Sequence, residues 1–404
     1  MRSHPIIRCG VIAGAFLVST GSRPVASRPE DPGGIWVLHI DAEGYRNGIA
    51  ILQVQPGGCA VRSLPTRSWA GLRTDLLPIQ STSCDDAQGG RMWRFIRKDG
   101  AAVTLSYRLS DDTLSGSFTA PELAGRPADV VGVRIPASIF PAASPHAAPV
   151  EPESGQAVVL LRLDDGFASD RDFLTRLRQR GLPAELAIPT RLVAPDRLTW
   201  EELEAWRGHG FQPVAHSRFH RGMPHRWHRD GAGTPLEFLG EVLGSLADMA
   251  AHGYATDVFV QPGSWHDSLY FDVPAKLANW HGAVFRTFTR VMEAYGRPWS
   301  VPLPLADSMA QGLGHFTISN RATPDQILEA WKAAQRPGWF TVFMVHTWSL
   351  RDPGQLDWFL DTLATAQRAG RIRMVRTSAE VAPAPPELSL IRSTKPGARS
   401  TTIR

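Results

Sequence analysis

The chain has 404 residues, of which 43% are hydrophobic and 20% are charged, so it is long enough for two globular domains that each bury a core. The formal net charge of +4 is small for this length and lies partly at the two ends. It therefore does not indicate nucleic-acid binding.

The first 27 residues have the features of an export signal. A basic start with Arg2 and Arg8 precedes an apolar stretch from Cys9 to Val18, which is shorter than the ~20 residues of a membrane span. No other stretch is long and apolar enough to cross a bilayer. We therefore expect an exported protein, periplasmic or extracellular, without a transmembrane segment.

Removal of the signal would leave Cys59 and Cys84 as the two cysteines of the mature chain. An even pair within one small segment of an exported protein predicts a disulfide. The alternative is two unpaired, buried thiols.

Residues 33–136 read as a small all-β domain, a barrel or a sandwich. Short runs of β-branched and aromatic residues, such as 35–40 and 103–109, are separated by turn signals. The domain contains no catalytic constellation, and it either binds glycan or shields one side of the next domain. Residues 137–156 are rich in Pro and Ala and predict a fairly stiff linker.

From residue 157 to 381, predicted strands alternate with predicted helices. Strands are expected at 157–163, 184–188, 211–215, 257–261, 282–286, 340–345 and 372–375. Repeated strand–helix units predict an α/β domain with a mainly parallel sheet or barrel. The tail over 382–404 is basic and rich in Pro, Ser and Thr, and we expect it to be disordered.

Acids and histidines follow successive predicted strands. Asp164 and Asp165 come directly after the first strand, His216 and His220 come at a strand end one strand–helix unit later, and His346 follows a late strand. The carboxyl ends of parallel strands meet at one mouth of a barrel. On a helical turn, the spacing of His216 and His220 would place both imidazoles on one face, about 5–6 Å apart at their Cβ atoms.

Such a set suits metal-assisted hydrolysis. One carboxylate and two histidines leave room for water and substrate at a catalytic metal. A second carboxylate can act as general base, and a third histidine can act as general acid.

The stretch from about 157 to 381 resembles the polysaccharide deacetylase family, also called carbohydrate esterase family four or the NodB-homology domain. Residues 163–166 (Leu-Asp-Asp-Gly) are similar to its Thr-Phe-Asp-Asp-Gly motif, and residues 216–220 match its His-Ser/Thr-x-x-His motif. Residues 259–263 resemble a divergent Arg-x-Pro-x-Gly motif, and residues 345–346 resemble the late Leu-x-His motif.

The resemblance implies a distorted (β/α) barrel of about seven strands. It also implies a divalent metal, usually Zn²⁺, with Co²⁺, Ni²⁺ or Mn²⁺ as alternatives, and an acetylated polysaccharide as substrate. The implied roles are general base for Asp164, metal ligands for Asp165, His216 and His220, general acid for His346, and oxyanion stabilisation by a backbone N–H near Gly263.

The sequence departs from the family pattern at two points. Val260 stands where the family has an arginine that orients the base, and Gln261 or Arg286 is a candidate replacement. The family's later Asp-rich motif, whose acid tunes the catalytic histidine, has no clear match between residues 280 and 308. Trp265 and Trp348 follow motif residues and are candidates for lining a sugar groove.

The sequence therefore predicts an exported, metal-dependent deacetylase acting on N- or O-linked acetyl groups of a polysaccharide. One alternative is a non-catalytic glycan-binding or scaffold protein that retains the metal site. Another is a hydrolase of a small non-sugar amide. Asp164 and His346 favour catalysis, because a binding module needs neither.

Overall fold

A computed structural model of the chain describes residues 32–41, 49–57, 59–64, 66–68, 71–73, 79–87, 90–139, 155–191, 196–221, 234–254, 256–262, 284–293, 296–310 and 312–383. The predicted signal, most of the predicted linker and tail, and both Gly263 and Trp265 lie outside these ranges. No helix in the described ranges is both long and apolar enough to span a bilayer.

The first domain is a curled antiparallel sheet, as the sequence predicts. In its described residues ten strands form: β1 Gly34–Asp41, β2 Ile49–Val54, β3 Val61–Leu64, β4 Thr66–Ser68, β5 Gly71–Arg73, β6 Ile79–Ala87, β7 Gly90–Arg97, β8 Ala102–Ser110, β9 Thr113–Thr119 and β10 Ala128–Ile135. Eight of them pair in the order β3-β2-β1-β10-β9-β8-β7-β6, and β4 pairs with β5.

The two edges of this sheet are joined by a disulfide. Cys59 lies just before β3, Cys84 lies in β6, and the two are bonded to each other. The Thr82 hydroxyl donates to the Cys59 carbonyl at 2.7 Å across the same seam. The inner face is filled by buried aromatic side chains, namely Trp36, Trp93, Phe95, Tyr107 and Phe118. The domain is thus a packed barrel-like unit.

The strands of the second domain in the described residues are β11 Ala157–Leu163, β12 Ala184–Ile188, β13 Phe211–Ala215, β14 Val258–Val260, β15 Val291–Glu293, β16 Ser300–Pro302, β17 Phe316–Ile318, β18 Trp339–Val345 and β19 Ile372–Val375. Seven of them follow one another as parallel neighbours in the order β15-β14-β13-β12-β11-β18-β17. An isolated parallel bridge joins Glu293, the last residue of β15, to Leu313, which lies shortly before β17. This cyclic order confirms the predicted distorted (β/α) barrel.

Two further strands extend the barrel wall. β16 pairs antiparallel with β18, and β19 pairs with the first half of β11, which leaves the second half of β11 to β12. The helices are α1 Asp170–Arg180, α2 Trp200–Arg207, α3 Pro235–Ala251, α4 Asp307–Ala310, α5 Pro324–Ala334 and α6 Asp357–Arg368.

One predicted strand is wrong. Residues 284–288, expected to be part of a strand over 282–286, form a short helix, and the strand β15 follows at Val291–Glu293. The apolar run is buried in either conformation, and a short buried run does not distinguish a strand from a helix.

Helix α3 packs between the two domains. It contacts β10 of the first domain on one side and β13 of the barrel on the other. Its apolar side chains share one core with outward-facing residues of the β domain, Ile35, Val37, Ile51, Ile135 and Ile139. The last of these belongs to a 3-10 helix, Ala137–Ile139, at the start of the predicted linker. Because α3 is covered on both sides, it is apolar around most of its circumference.

Candidate metal and catalytic site

The predicted site residues lie at one mouth of the barrel because three strands end there. Asp164 follows β11, His216 follows β13 and His346 follows β18. β11 and β18 are neighbours, with Leu163 paired to Val345, and the Asp164 N–H donates to the Val345 carbonyl at 3.2 Å. This pairing places Asp164 Oδ2 3.0 Å from His346 Nε2.

The two histidines of the 216–220 segment converge through a loop. The expectation of a helical turn is wrong, because Ser217 has φ 62° and His220 has φ 54°, both in the left-handed region. The two imidazole centroids are nevertheless 4.9 Å apart. Glu241 of α3 stabilises the loop, since its Oε2 accepts from the N–H groups of Arg218 and Phe219 at 3.1 and 2.9 Å.

Asp165 has a strained backbone. Its φ is 74°, a conformation that costs a residue with a Cβ roughly 1–2 kcal/mol. The next residue, Gly166, has φ 63°, and a Cβ there would lie 2.8 Å from Ile188 Cδ1. The Arg197 guanidinium donates to the Asp165 carbonyl and helps to hold this turn. Strain of this kind concentrates at functional sites, where the surrounding structure fixes a side chain in place.

The Asp165, His216 and His220 side chains fit a metal ion. Their ligand atoms all lie within 4.8 Å of one another, with Asp165 Oδ1 2.7 Å from His220 Nε2 and 3.4 Å from His216 Nε2. Asp165 Oδ1 and His216 Nε2 are buried and make no hydrogen bond among the described residues. The His216 Nδ1 lies 2.9 Å from the Val260 carbonyl, which is the hydrogen bond that directs the Nε2 lone pair toward a metal.

Asp164 and His346 form a hydrogen-bonded pair beside these residues. Burial opposes ionisation of Asp164, but His216 outweighs it and the pKa of Asp164 is lowered. Burial also opposes a charged His346, but the hydrogen bond to Asp164 outweighs it and the pKa of His346 is raised. Both shifts favour a carboxylate next to an imidazolium. The pKa of Asp165 is lowered as well, because the nearby His216 and His220 imidazoles outweigh its burial.

No arginine contacts Asp164 within the described residues; its side-chain partners are His216 and His346. Arg286 is buried on the short helix over 284–288 and is not among these partners. Arg162 lies two residues before Asp164 on β11, yet it is fully buried in ion pairs with Glu185 and with a second glutamate, Glu293. Two histidines therefore contact Asp164 where the family has an arginine.

A third buried carboxyl group lies near Asp164 and His346, and the sequence motifs did not predict its place in the site. Asp170, the first residue of α1, accepts a hydrogen bond from the Thr347 hydroxyl, and the Ser169 hydroxyl lies 2.8 Å from the same oxygen of Thr347. Burial raises the pKa of Asp170 to about 8, and the charges of Asp165 and Asp164 act in the same direction. The one sequence feature that could have indicated this contact is Thr347, a hydrogen-bonding residue directly after His346.

Trp348 lies at the entrance to the site. Its indole N–H donates to Asp165 Oδ2 at 2.9 Å, while 53% of the residue is exposed. The structure thus brings together Asp164, Asp165, His216, His220, His346 and Trp348. The Cys59–Cys84 disulfide lies in the other domain.

No protein-family model matches the sequence, and no curated protein matches it. Solved structures similar to this chain include a family 4 carbohydrate esterase from Streptomyces lividans in complex with acetate, at 18% identity and a TM-score of 0.35, over 57% of this chain and 98% of the other. Another is the catalytic domain of a peptidoglycan N-acetylglucosamine deacetylase from Eubacterium rectale, at 13% identity and a TM-score of 0.40, over 60% and 97%.

A third is a family 4 acetyl xylan esterase from Clostridium thermocellum in complex with a cobalt ion, at 17% identity and a TM-score of 0.33, over 54% of this chain and 87% of the other. At these identities and TM-scores the likeness is weak. The functional assignment therefore depends on the side chains of the site.

Proposed function

We propose that this chain is an exported, metal-dependent deacetylase that removes N- or O-linked acetyl groups from a polysaccharide, as a member of the polysaccharide deacetylase family. One observation carries the proposal. Three converging ligand atoms of Asp165, His216 and His220 lie beside a separate Asp164–His346 pair at the same mouth of the barrel. A protein that only binds glycan has no use for the second pair.

The donor set of one carboxylate and two imidazoles suits Zn²⁺, and Co²⁺, Ni²⁺ or Mn²⁺ can take the same ligands. When bound, such an ion supplies a Lewis acid that polarises the acetyl carbonyl and makes water more acidic. Asp165, His216 and His220 would hold it.

Asp164 and His346 would move the protons. Asp164 takes a proton from the water that attacks the acetyl carbon, and its Oδ1 is buried without a hydrogen bond among the described residues. His346 gives a proton to the leaving nitrogen or oxygen as the C–N or C–O bond breaks, which releases acetate and the free amine or hydroxyl. An amine leaves poorly as an anion, so this proton is needed, and the raised pKa of His346 helps to retain it until then.

Export is supported by two features. The N-terminal residues have the pattern of a signal, and the two remaining cysteines are bonded to each other. Disulfides persist mainly in oxidising compartments such as the periplasm and the extracellular space.

Acetate release by the purified chain tests the proposal. The substrates are acetylxylan, N-acetylchitohexaose and N-phenylacetamide, each with and without a chelator. We expect Asp164→Asn and His346→Gln to lower the rate of release at least ~100-fold, because general acid and base catalysis each contribute about 10²–10⁴-fold. Both variants should keep their metal content, whereas His216→Ala should lose it.

If metal-loaded wild type releases acetate from none of these substrates, the chain is not a deacetylase. Release from the small amide alone would identify the small-amide hydrolase instead. Unchanged rates in both Asp164→Asn and His346→Gln would exclude the assigned roles.

A further inference from the structure

Trp348 is a large aromatic residue that is exposed to solvent beside the site. Among the described residues, the two most exposed large hydrophobic side chains are Trp348 at 53% and Phe219 at 45%. Both lie in loops that carry site residues, Phe219 between the two histidine ligands and Trp348 two positions after His346. Exposing a large apolar ring has a free-energy cost, and rings exposed next to a reactive site indicate a binding surface.

The ring of Trp348 is held on several sides. Its N–H is bonded to Asp165 Oδ2 at 2.9 Å, and its centroid is 5.8 Å from that of Phe167 and 5.6 Å from that of His346. Phe167 is in turn covered by the Arg197 guanidinium at 3.5 Å. Arg197 also donates to the Asp165 carbonyl. These contacts fix the orientation of the indole. Its N–H is bonded to Asp165, and about half of the residue remains exposed to solvent.

We propose that Trp348 has two linked functions: its indole N–H fixes the carboxylate of Asp165 for the metal, and its exposed ring is the platform on which a sugar ring of the polymer stacks. This inference rests on the proposed deacetylase function and names the residue that selects a polymer over a small acetyl compound. An indole has a broad apolar face, which matches the C–H face of a pyranose ring, and two rotatable bonds, so that little entropy is lost on binding.

The hydrogen bond to Asp165 leaves the other oxygen, Oδ1, for the cation. A partner that holds the second oxygen of a ligating carboxylate orients it, and loss of such a partner typically lowers metal affinity or activity about 10–100-fold. Substrate stacking and metal-ligand orientation thus depend on opposite parts of one side chain. They can be separated by substitution.

The experiment compares Trp348→Phe, Trp348→Ala and a matched control, Trp358→Ala. Trp358 lies on α6 and is 37% exposed. Phenylalanine keeps a stacking face and removes the N–H, whereas alanine removes both. Three quantities are measured: Zn²⁺ affinity of the metal-free chain by competition with a chromophoric chelator, polymer binding by affinity electrophoresis in acetylxylan, and KM for acetylxylan and for 4-nitrophenyl acetate.

We expect Trp348→Phe to weaken Zn²⁺ binding about 10-fold, within the range for lost partners of metal ligands, with polymer binding within about threefold of wild type. Trp348→Ala should weaken Zn²⁺ binding to the same extent. It should also weaken polymer binding and raise the KM for acetylxylan about 10-fold, because the aromatic face on which the sugar stacks is lost. At saturating Zn²⁺, the KM for 4-nitrophenyl acetate should rise less than the KM for acetylxylan in Trp348→Ala, because a small ester has no sugar ring to stack on the indole. Trp358→Ala should behave as wild type.

Unchanged Zn²⁺ affinity in Trp348→Phe would overturn the role at Asp165. Unchanged polymer binding in Trp348→Ala, or an equal rise in KM for the small ester, would overturn the platform. Zn²⁺ affinity and polymer binding are measured without turnover. A chain that binds metal and polymer through Trp348 but releases no acetate would therefore contradict the proposed function while supporting this inference.

Discussion

Asp164 and Asp165 are adjacent in the chain and both lie 3.4 Å from His216 Nε2, yet their other partners differ. Asp165 faces His216, His220 and the Trp348 indole, whereas Asp164 is hydrogen-bonded to His346. Oxygens of the two carboxylates lie within 4.8 Å of each other, but Asp165 is grouped with His216 and His220 whereas Asp164 is paired with His346. One can therefore hold a metal while the other moves a proton. Two identical side chains thereby acquire different chemistry from their surroundings alone.

Asp170 should make the stability of the protein depend on pH. In the unfolded chain this carboxyl ionises near 3.8, whereas burial raises its pKa to about 8 in the folded chain. Between these values the folded state holds the extra proton, so the free energy of unfolding falls as the pH rises. Asp170→Asn has no ionisable group at this position, so its free energy of unfolding should not show this decrease with pH.

The measurement is thermal unfolding between pH 5 and pH 8 in the presence of a chelator. We expect Asp170→Asn to gain on the order of 1 kcal/mol or more relative to wild type at pH 8, a rise of about 2–4 °C in Tm. Asp172→Asn, at an exposed position of the same helix, is the control. A difference between Asp170→Asn and wild type that is the same at pH 5 and pH 8 would contradict the prediction.

At the scale of elements, α3 positions the loop that carries the proposed metal ligands His216 and His220. Buried Glu241 accepts from two backbone N–H groups of that loop, and Asp248 accepts from the Arg218 guanidinium at 3.0 Å. Gly244 leaves room for this arginine, since a Cβ there would lie 2.5 Å from Arg218 Cδ. The helix thus holds the left-handed turns that direct His216 and His220 to one point.

Glu241→Ala should therefore weaken Zn²⁺ binding about 10-fold, as expected for loss of support around a metal ligand. Glu329→Ala, at an exposed position of α5, should leave Zn²⁺ affinity unchanged. Titration calorimetry of the metal-free chains measures both. Wild-type affinity in Glu241→Ala would show that the loop keeps its shape without this contact.

At the scale of the whole molecule, the β domain covers one side of α3. Without it, the apolar face that packs on Ile35, Val37, Ile135 and Ile139 would meet water. Each such buried side chain contributes about 1.5–3 kcal/mol. A chain that begins at Gly155 should therefore bind a hydrophobic dye, aggregate and melt several degrees below the full chain. A soluble, monomeric truncated chain with an unchanged Tm would show that the two domains are energetically independent.

The sequence predicts the residues that follow strand ends well, because polar groups stand out after an apolar run and parallel strands bring their ends together. Asp164, Asp165, His216 and His346 are of this kind. The buried contacts that surround these residues are much harder to predict. Asp170 meets Thr347 across 177 residues and Arg162 meets Glu185 across two strands, and both contacts depend on strand register.

Local conformation was also predicted incompletely. The helix over 284–288 has the same apolar composition as a buried strand, and only its neighbours in the barrel decide between the two. The left-handed turns at Ser217 and His220 are stabilised by contacts of the loop with α3 rather than by residue preference. Tertiary contacts thus determine the backbone where local preference is weak.

The strand that precedes both aspartates, β11, acquires its neighbouring strands β18 and β19 only from the last part of the chain. β11 is made early, but β18 lies along one side of it and β19 along half of the other, and Asp164 and His346 are 182 residues apart. Closing so long a segment costs entropy that only the finished contacts offset. Asp164 and His346, the proposed base and acid, can meet only after almost the entire chain has been synthesised. An incomplete polypeptide, or one cleaved before β18, would hold all three proposed metal ligands and still lack the proposed acid.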